Sequence, residues 1–160
     1  MERNPLRPSE SFSDRYNKYG AMLYKIAVVY MGNKHDAEEA VQDVFIKLLY
    51  QAPPFQDSEH EKAWLIRVLT NGCKNKLRGF WRKRAMQLED IESWTTDPEH
   101  LGLLESVLRL PVKYKAVIHL HYYEDYSVKQ IAETLQIGES AVKMRLARGR
   151  QLLKLELEGE

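Results

Sequence analysis

The sequence predicts an all-α protein made of two small helical domains joined by a linker. Apolar residues recur at intervals of three and four along most of the chain, which is the period of a helix. The 160 residues include only 8 glycines and 6 prolines, fewer than a fold with many turns requires. An acidic stretch without this periodicity interrupts the pattern near the middle of the chain and predicts the linker.

The first two predicted helices are bounded by residues that break helices. Aromatic and aliphatic residues spaced by three and four over positions 12–30 predict the first helix, which Gly32-Asn33 ends. Apolar positions over 37–49 predict the second helix, and acids crowd its start, where the helix dipole favours them. Pro53-Pro54 stops this helix, because proline has no backbone N–H to donate.

A third helix follows the proline pair. Ser58 and Glu61 form an S-x-x-E capping box, which predicts a helix from about residue 59 to about residue 84. At 3.6 residues per turn, one side of this helix is expected to face inward. That side comprises Leu65, Leu69, Gly72, Cys73, Lys76 and Phe80.

The second half of the chain is also helical in pattern. A short helix is expected over residues 100–108, and Pro111 starts another. Ser127 and Gln130 form a second capping box, which opens a further helix. A turn over residues 136–139 then leads to a final helix.

Charge is segregated along the chain, although the formal net charge is only +1. Residues 63–86 contain seven cations and no acid, residues 87–108 six acids and no cation, and residues 140–154 five cations and no acid. Two basic surfaces separated by an acidic stretch predict two anion contacts joined by a linker. Solvated helix faces are the alternative, but such faces usually mix both signs. The expected organisation is a first domain over 1–86, a linker over 87–98 and a second domain over 99–160.

The residue pattern argues against catalysis and against a bound metal. His119 and His121 are two residues apart, so a helix points them in different directions. Cys73 falls among the inward positions, and the sequence has no phosphate-binding glycine loop. We therefore expect no cofactor, no metal and no small-molecule substrate.

A polar N-terminus, the lack of a membrane-spanning apolar run and a single cysteine together favour the cytoplasm.

Two short helices joined by about four residues, of which the second is basic, predict a helix-turn-helix near the C-terminus. In this motif, early residues of the second helix reach base edges in the major groove. Lys143 is expected to bond guanine, and Met144 and Ala147 to touch thymine methyl groups. Arg148 and Arg150 are expected to neutralise phosphates. The outward face comprises Ser140, Lys143, Met144, Ala147 and Arg148. A helical hairpin with a charged outer face is the alternative.

The side of the third helix that is predicted to face solvent, its wet face, has an unusual composition. It presents Trp64, Arg67, Asn71, Lys74, Asn75 and Arg78. Asparagine is a poor helix former, so two asparagines on an exposed face cost stability without a structural benefit. An aromatic ring among cations and amides suits unpaired nucleic acid, and a second protein partner is the alternative. The loop before this helix could close a pocket on an extruded base. Its residues are Phe55, Gln56, Asp57 and Ser58.

Four segments, in this order along the chain, resemble the extracytoplasmic-function sigma factors of the sigma-70 family. The resemblance covers nearly the whole chain and lacks the extra regions of housekeeping sigma factors. The segments are Asp-Ala-Glu-Glu-Ala-Val-Gln-Asp-Val-Phe (36–45), Ala-Trp-Leu-Ile-Arg-Val (63–68), Leu-Pro-Val-Lys-Tyr-Lys-Ala-Val-Ile (110–118), and Ile-Ala-Glu-Thr-Leu (131–135) with Ser-Ala-Val-Lys-Met-Arg-Leu-Ala-Arg-Gly-Arg (140–150).

The resemblance implies a function and a set of partners. A sigma-2 domain would extend to about residue 86, and a sigma-4 domain would begin at about residue 99. The helix matching residues 36–49 would dock on the clamp helices of the polymerase β′ subunit, through Gln42, Asp43 and Phe45. Residues 55–59 and Asn71 would capture a flipped base of the −10 element, and Trp64, Arg67, Lys74, Asn75 and Arg78 would line the melted strand.

The sigma-4 domain would read the −35 element as duplex and touch the polymerase β flap. Family members are commonly held inactive by an anti-sigma factor, often membrane-anchored, so such a partner is expected.

One departure from the family pattern concerns the helix-turn-helix turn. Gln136 stands where the family usually has glycine, and a non-glycine residue with positive φ is uncommon. The expectation is a remodelled turn in which Gly138 takes the strain. Met144 also replaces a residue that is often small and polar.

A stand-alone helix-turn-helix regulator is the second hypothesis for function, although it would leave the wet face of the third helix unexplained. A helical adaptor that binds only protein is the third.

Overall fold

A computed structural model describes residues 12–80 and 105–158, and every regular element in these two ranges is helical. The predicted all-α fold is therefore confirmed. The predicted linker, the end of the third helix beyond residue 80 and the start of the helix expected over 100–108 lie outside the described residues. The elements are α1 Phe12–Met31, α2 Lys34–Gln51, α3 Ser58–Phe80, α4 Val112–Ile118, a π-helix His119–Tyr123, α5 Val128–Leu135 and α6 Glu139–Glu158.

The turn between α1 and α2 is fixed by two neighbouring residues, as predicted. Gly32 adopts φ of 80°, in the left-handed region that glycine enters at little steric cost. The Asn33 side chain then accepts a hydrogen bond of 2.9 Å from the backbone N–H of Asp36 and caps α2. These local features end α1 and begin α2.

The start of α3 differs from the predicted capping box. The cap is Asp57, whose carboxylate accepts a hydrogen bond of 2.8 Å from the backbone N–H of His60. Glu61 does not reach back to the helix start, because its carboxylate is buried against α1. There it lies 2.7 Å from the Arg15 guanidinium and accepts a hydrogen bond of 3.0 Å from the Tyr19 hydroxyl. The Ser58–Glu61 box was thus a wrong prediction, since a buried cation competes successfully for Glu61.

The helix-turn-helix occupies α5 and α6. The predicted capping box at Ser127 and Gln130 is confirmed, with reciprocal hydrogen bonds of 3.1 and 2.8 Å. Gln136 itself adopts the left-handed conformation at φ of 59° and ends α5. Gly138 is not among the residues with positive φ, so the expectation that it takes the strain was wrong. The backbone N–H of Ile137 bonds the Ala132 carbonyl at 3.1 Å, and this bond closes the turn around the unusual glutamine.

The two halves of the chain contact each other in this structure. Helix α1 packs on α4 and α3 packs on α5, and the buried side chains of both halves belong to one continuous hydrophobic cluster. Across the α3–α5 contact, the Arg67 guanidinium donates to the Glu133 carbonyl at 3.2 Å. Just before α5, the Tyr126 ring lies with its centre 5.1 Å from the Lys62 ammonium of α3.

Helix α3 has a wider buried surface than the sequence predicted. Ile66 and Thr70 are buried although neither belongs to the predicted inward side. Their positions, four residues apart, continue the side of α3 that carries Lys62 and meets the second half of the chain. A helix that packs against two neighbours buries two sides, and a period calculated for one buried side misses the second.

Candidate nucleic-acid and polymerase interfaces

The predicted strand-binding face of α3 divides into an exposed and a half-buried part. Asn71, Asn75 and Arg78 are exposed, and an Arg78 guanidinium nitrogen donates to the Asn75 amide oxygen at 2.6 Å. Trp64, Arg67 and Lys74, which complete the predicted face, are half-buried. The exposed part presents two amides and one guanidinium, groups that can bond base edges and phosphates.

Two residues of the half-buried part, Arg67 and Lys74, interact with the second half of the chain. One Arg67 nitrogen already donates to the Glu133 carbonyl. The pKa of Lys74 is lowered, first by burial and then by the positive charges of Arg145 and Arg78. Arg145 belongs to α6, so Lys74 on α3 is affected by a positive charge from the second predicted DNA-binding helix. A DNA strand that bonds the same Arg67 nitrogen must replace its contact with Glu133.

The loop before α3 packs on the helix through an aromatic contact. Phe55 is buried, and its ring meets the Trp64 ring edge-on with centroids 5.6 Å apart. Gln56, Asp57 and Ser58 are exposed, although the Asp57 carboxylate is engaged as the helix cap. Of the four predicted loop residues, Phe55 packs against Trp64, and the other three are exposed to solvent.

The predicted docking helix, α2, presents two of its three candidate residues. Gln42 and Asp43 are exposed. Phe45 is only 2% exposed and packs against Phe12 and Tyr16, with ring centroids 5.7 and 5.1 Å away. Phe45 therefore holds α2 against α1, while Gln42 borders a groove of about 650 Å³ between these helices.

Asp43 has an intramolecular partner that the sequence did not reveal. The Lys76 ammonium of α3 lies 3.2 Å from the Asp43 carboxylate and 3.6 Å from that of Glu39. Burial by itself lowers the pKa of Lys76, but the hydrogen bonds and charges of the two carboxylates outweigh it and raise that pKa. The lysine that the helical period placed on the inner side of α3 thus connects α3 to the exposed face of α2.

The outer face of α6 is arranged as the sequence predicted. Val142, Leu146 and Gly149 are buried, and an added Cβ at Gly149 would lie 2.7 Å from the Ile118 side chain, so α4 and α6 approach closely there. The exposed residues of the opposite side are Ser140, Lys143, Met144, Ala147, Arg148 and Arg150. Arg148 donates to Gln151 at 3.0 Å, and Arg150 donates to the Tyr122 hydroxyl at 2.9 Å.

Comparisons with known proteins match both halves of the chain. Residues 15–83 match the family model of Sigma-70 region 2, and residues 100–153 match that of Sigma-70, region 4. The ECF RNA polymerase sigma factor SigW of Bacillus subtilis is 28% identical over 92% of this chain and 89% of its own length. RNA polymerase sigma factor SigV of the same organism is 30% identical over 86% of each chain.

The chain belongs to the extracytoplasmic-function sigma factors of the sigma-70 family. Its function is promoter recognition in transcription initiation, and its family is one of transcription factors rather than enzymes.

Solved structures of sigma factors share the fold of this one. CnrH, in complex with the cytosolic domain of CnrY, superposes with a TM-score of 0.67 over 93% of this chain and 88% of that chain, at 22% identity. The sigma factor RpoE of Bartonella quintana, in complex with the anti-sigma factor NepR, gives a TM-score of 0.66 over 92% of this chain and 96% of that chain, at 18% identity. The likeness establishes the all-α architecture of this sigma factor.

Cys73 lies in the core of this sigma factor. Cys73 is buried, and burial raises the pKa of its thiol to about 12, so it is uncharged at neutral pH. Within residues 12–80 and 105–158, no group of three or more His, Cys, Asp or Glu side chains is placed to hold a metal ion. No helix in the same ranges is long and apolar enough to cross a membrane.

Proposed function

We propose that this sigma factor divides promoter recognition among three helices. Helix α2 docks on core RNA polymerase, α3 holds the melted −10 strand, and α6 reads the −35 duplex. The observation that carries the proposal is the exposed set of Asn71, Asn75 and Arg78 on α3. Duplex reading by α5 and α6 alone would not require such a face, and this argues against a stand-alone helix-turn-helix regulator.

The −10 strand would lie along the predicted wet face of α3. Bases stack on aromatic rings, so Trp64 is the stacking residue, held in place by Phe55 beneath it. Asn71 reads the flipped base together with the loop residues Gln56, Asp57 and Ser58. Arg67, Lys74, Asn75 and Arg78 hold the strand through phosphates and base edges.

The polymerase contact would lie on the exposed side of α2. Gln42 and Asp43 face the clamp helices of the β′ subunit, and the groove beside Gln42 extends this surface towards α1. Phe45 contributes indirectly, by fixing α2 on α1. In the second half of the chain, Lys143, Met144 and Ala147 read the −35 bases, and Arg148 and Arg150 hold the backbone. A surface of the same half touches the β flap.

The proposed partners are core polymerase, promoter DNA and an anti-sigma factor. The solved structures of CnrH and RpoE each contain a partner chain, CnrY in one and the anti-sigma factor NepR in the other. We extend to this chain the expectation of an anti-sigma factor, a cytoplasmic location and the absence of catalysis. Two domains, over residues 1–86 and 99–160, with a linker over 87–98, complete the proposal.

Run-off transcription with core polymerase on a genomic promoter library tests the proposal. Transcripts should start at discrete sites when this chain is added and should be absent with core enzyme alone. Under the same conditions, Asn71→Ala should bind core polymerase but initiate poorly. Tight, specific binding of promoter duplex by the chain without polymerase would favour a stand-alone regulator. If the chain fails to bind DNA at every salt concentration, even when polymerase is present, the result would favour a protein-binding adaptor.

A further inference from the structure

The π-helix immediately before the helix-turn-helix has no role in the proposed function so far. It spans His119–Tyr123 and follows α4 without a break. A π-turn inserts one residue into the helical repeat, and such turns occur frequently at functional sites. Here it buries His119 and Leu120 and leaves Tyr122 facing solvent, 51% exposed.

Tyr122 is held in place by contacts at both ends of its side chain. Its ring meets the His121 ring edge-on, with centroids 4.8 Å apart and planes at 79°. Its hydroxyl accepts a hydrogen bond of 2.9 Å from an Arg150 guanidinium nitrogen. Arg150 is exposed and lies 28 residues further along the chain, on α6. The π-helix and the recognition helix are thereby tied together at the surface.

This pair can bind an anion. The Tyr122 hydroxyl uses a lone pair to accept from Arg150, so its own hydrogen remains available to donate. Arg150 keeps its remaining N–H donors, and among the side chains that the structure describes, over residues 12–78 and 105–154, no carboxylate forms an ion pair with it. The Tyr122 hydroxyl and the Arg150 guanidinium lie on separate helices, and each can donate to one oxygen of the same phosphate group. The guanidinium also supplies a positive charge.

We propose that Tyr122 is a DNA-backbone contact that acts with Arg150 as one phosphate clamp beside the −35 element. The clamp rests on the proposed function, because it needs α6 in the major groove. It adds a residue outside the helix-turn-helix to the DNA interface. Its contact carries no base information, since every sequence presents the same phosphate.

Tyr123 provides a matched control on the same π-helix. It is half-buried, its ring stacks on His119 with centroids 5.3 Å apart, and burial raises the pKa of its hydroxyl. Tyr122→Phe and Tyr123→Phe each remove one hydroxyl and keep the ring. Only the first change removes a group from the proposed clamp.

The test measures the affinity of reconstituted holoenzyme for duplexes that carry variants of the −35 element of a promoter selected by run-off transcription. Tyr122→Phe should weaken binding to every duplex about three- to tenfold, the usual net effect of losing one hydrogen bond, with base preference unchanged. Tyr123→Phe should bind like the wild type. Arg150→Ala combined with Tyr122→Phe should lose less than the product of the two single losses, because the tyrosine also orients the arginine.

Three results would overturn the clamp. They are wild-type affinity for Tyr122→Phe, an altered base preference, or a double variant that loses the full product. Circular dichroism and thermal melting of the full chain should be the same for both phenylalanine variants, which separates the clamp from a folding defect. If the wild-type holoenzyme selects no promoter, it is the proposed function that fails, and that outcome precedes any comparison of variants.

Discussion

Replacing Glu61 by Gln should destabilise the chain more than any exposed charge change. The Glu61 carboxylate lies 2.7 Å from Arg15, and the two residues are only 4% and 2% exposed. Glutamine keeps an acceptor for the Tyr19 hydroxyl but removes the negative charge that compensates the buried guanidinium. Removing one partner of a buried ion pair costs about 3–5 kcal/mol. A domain is stable by about 5–15 kcal/mol, so the loss is a large fraction of the total.

The exposed ion pair at Asp43 provides the control for this prediction. Its carboxylate is 53% exposed and 3.2 Å from Lys76, and exposed pairs contribute about 0–1 kcal/mol. Urea unfolding followed by circular dichroism should show a midpoint about 2 M lower for Glu61→Gln, given a slope of about 1–3 kcal/mol per molar. Asp43→Asn should leave the midpoint almost unchanged.

A second variant tests whether the buried charge is the cause. Arg15→Met combined with Glu61→Leu removes both charges and fills the space with apolar groups, so it should recover at least half of the lost stability. A midpoint for Glu61→Gln equal to that of Asp43→Asn would refute the reasoning. So would a double variant that is less stable than the single one.

Three further predictions concern the proposed interfaces. Asn71→Ala and Trp64→Ala should impair promoter opening, measured by permanganate footprinting, while co-purification with core polymerase stays intact. Asp43→Arg should abolish that co-purification without a change in circular dichroism, because it places a cation on the docking face. Lys143→Ala should relax discrimination at one −35 base pair by about 1–3 kcal/mol. Arg150→Ala should instead weaken all sequences equally and lower the salt slope by about one unit.

Each of these predictions has a result that contradicts it. Normal opening by both α3 variants would refute the single-strand interpretation. Wild-type affinity of a folded Asp43→Arg chain for core polymerase would show that the docking helix is misassigned. Uniform loss from Lys143→Ala, with altered base preference from Arg150→Ala, would show that α6 is rotated in the groove.

The structure also changes which variants are informative. Phe45 resembles a docking position in sequence, but it is buried against α1. Phe45→Ala would leave a cavity and cost about 3–5 kcal/mol, so lost polymerase binding in that variant would not identify a contact. Asp43 is the better choice because its side chain is exposed and its substitution leaves the core intact.

The sequence by itself determined what depends on neighbours within one or two turns. The break at Gly32-Asn33, the capping box at Ser127 and the outward face of α6 all follow from contacts between residues a few positions apart. Such contacts repeat with the period of the helix, and that period is visible in the order of the residues. The family resemblance added the domain functions, which periodicity alone leaves open.

Only the tertiary structure decided the contacts between residues far apart in the chain. Glu61 could cap its own helix or neutralise Arg15, and burial of that arginine on α1 selects the second. Lys76 has the spacing of an inward residue, yet it pairs with Asp43 because α2 lies beside it. Tyr122, on the π-helix, meets Arg150 because α6 lies beside it. In each case the deciding partner lies at least 28 residues away, and no periodic pattern links such partners, because their meeting depends on how the helices pack.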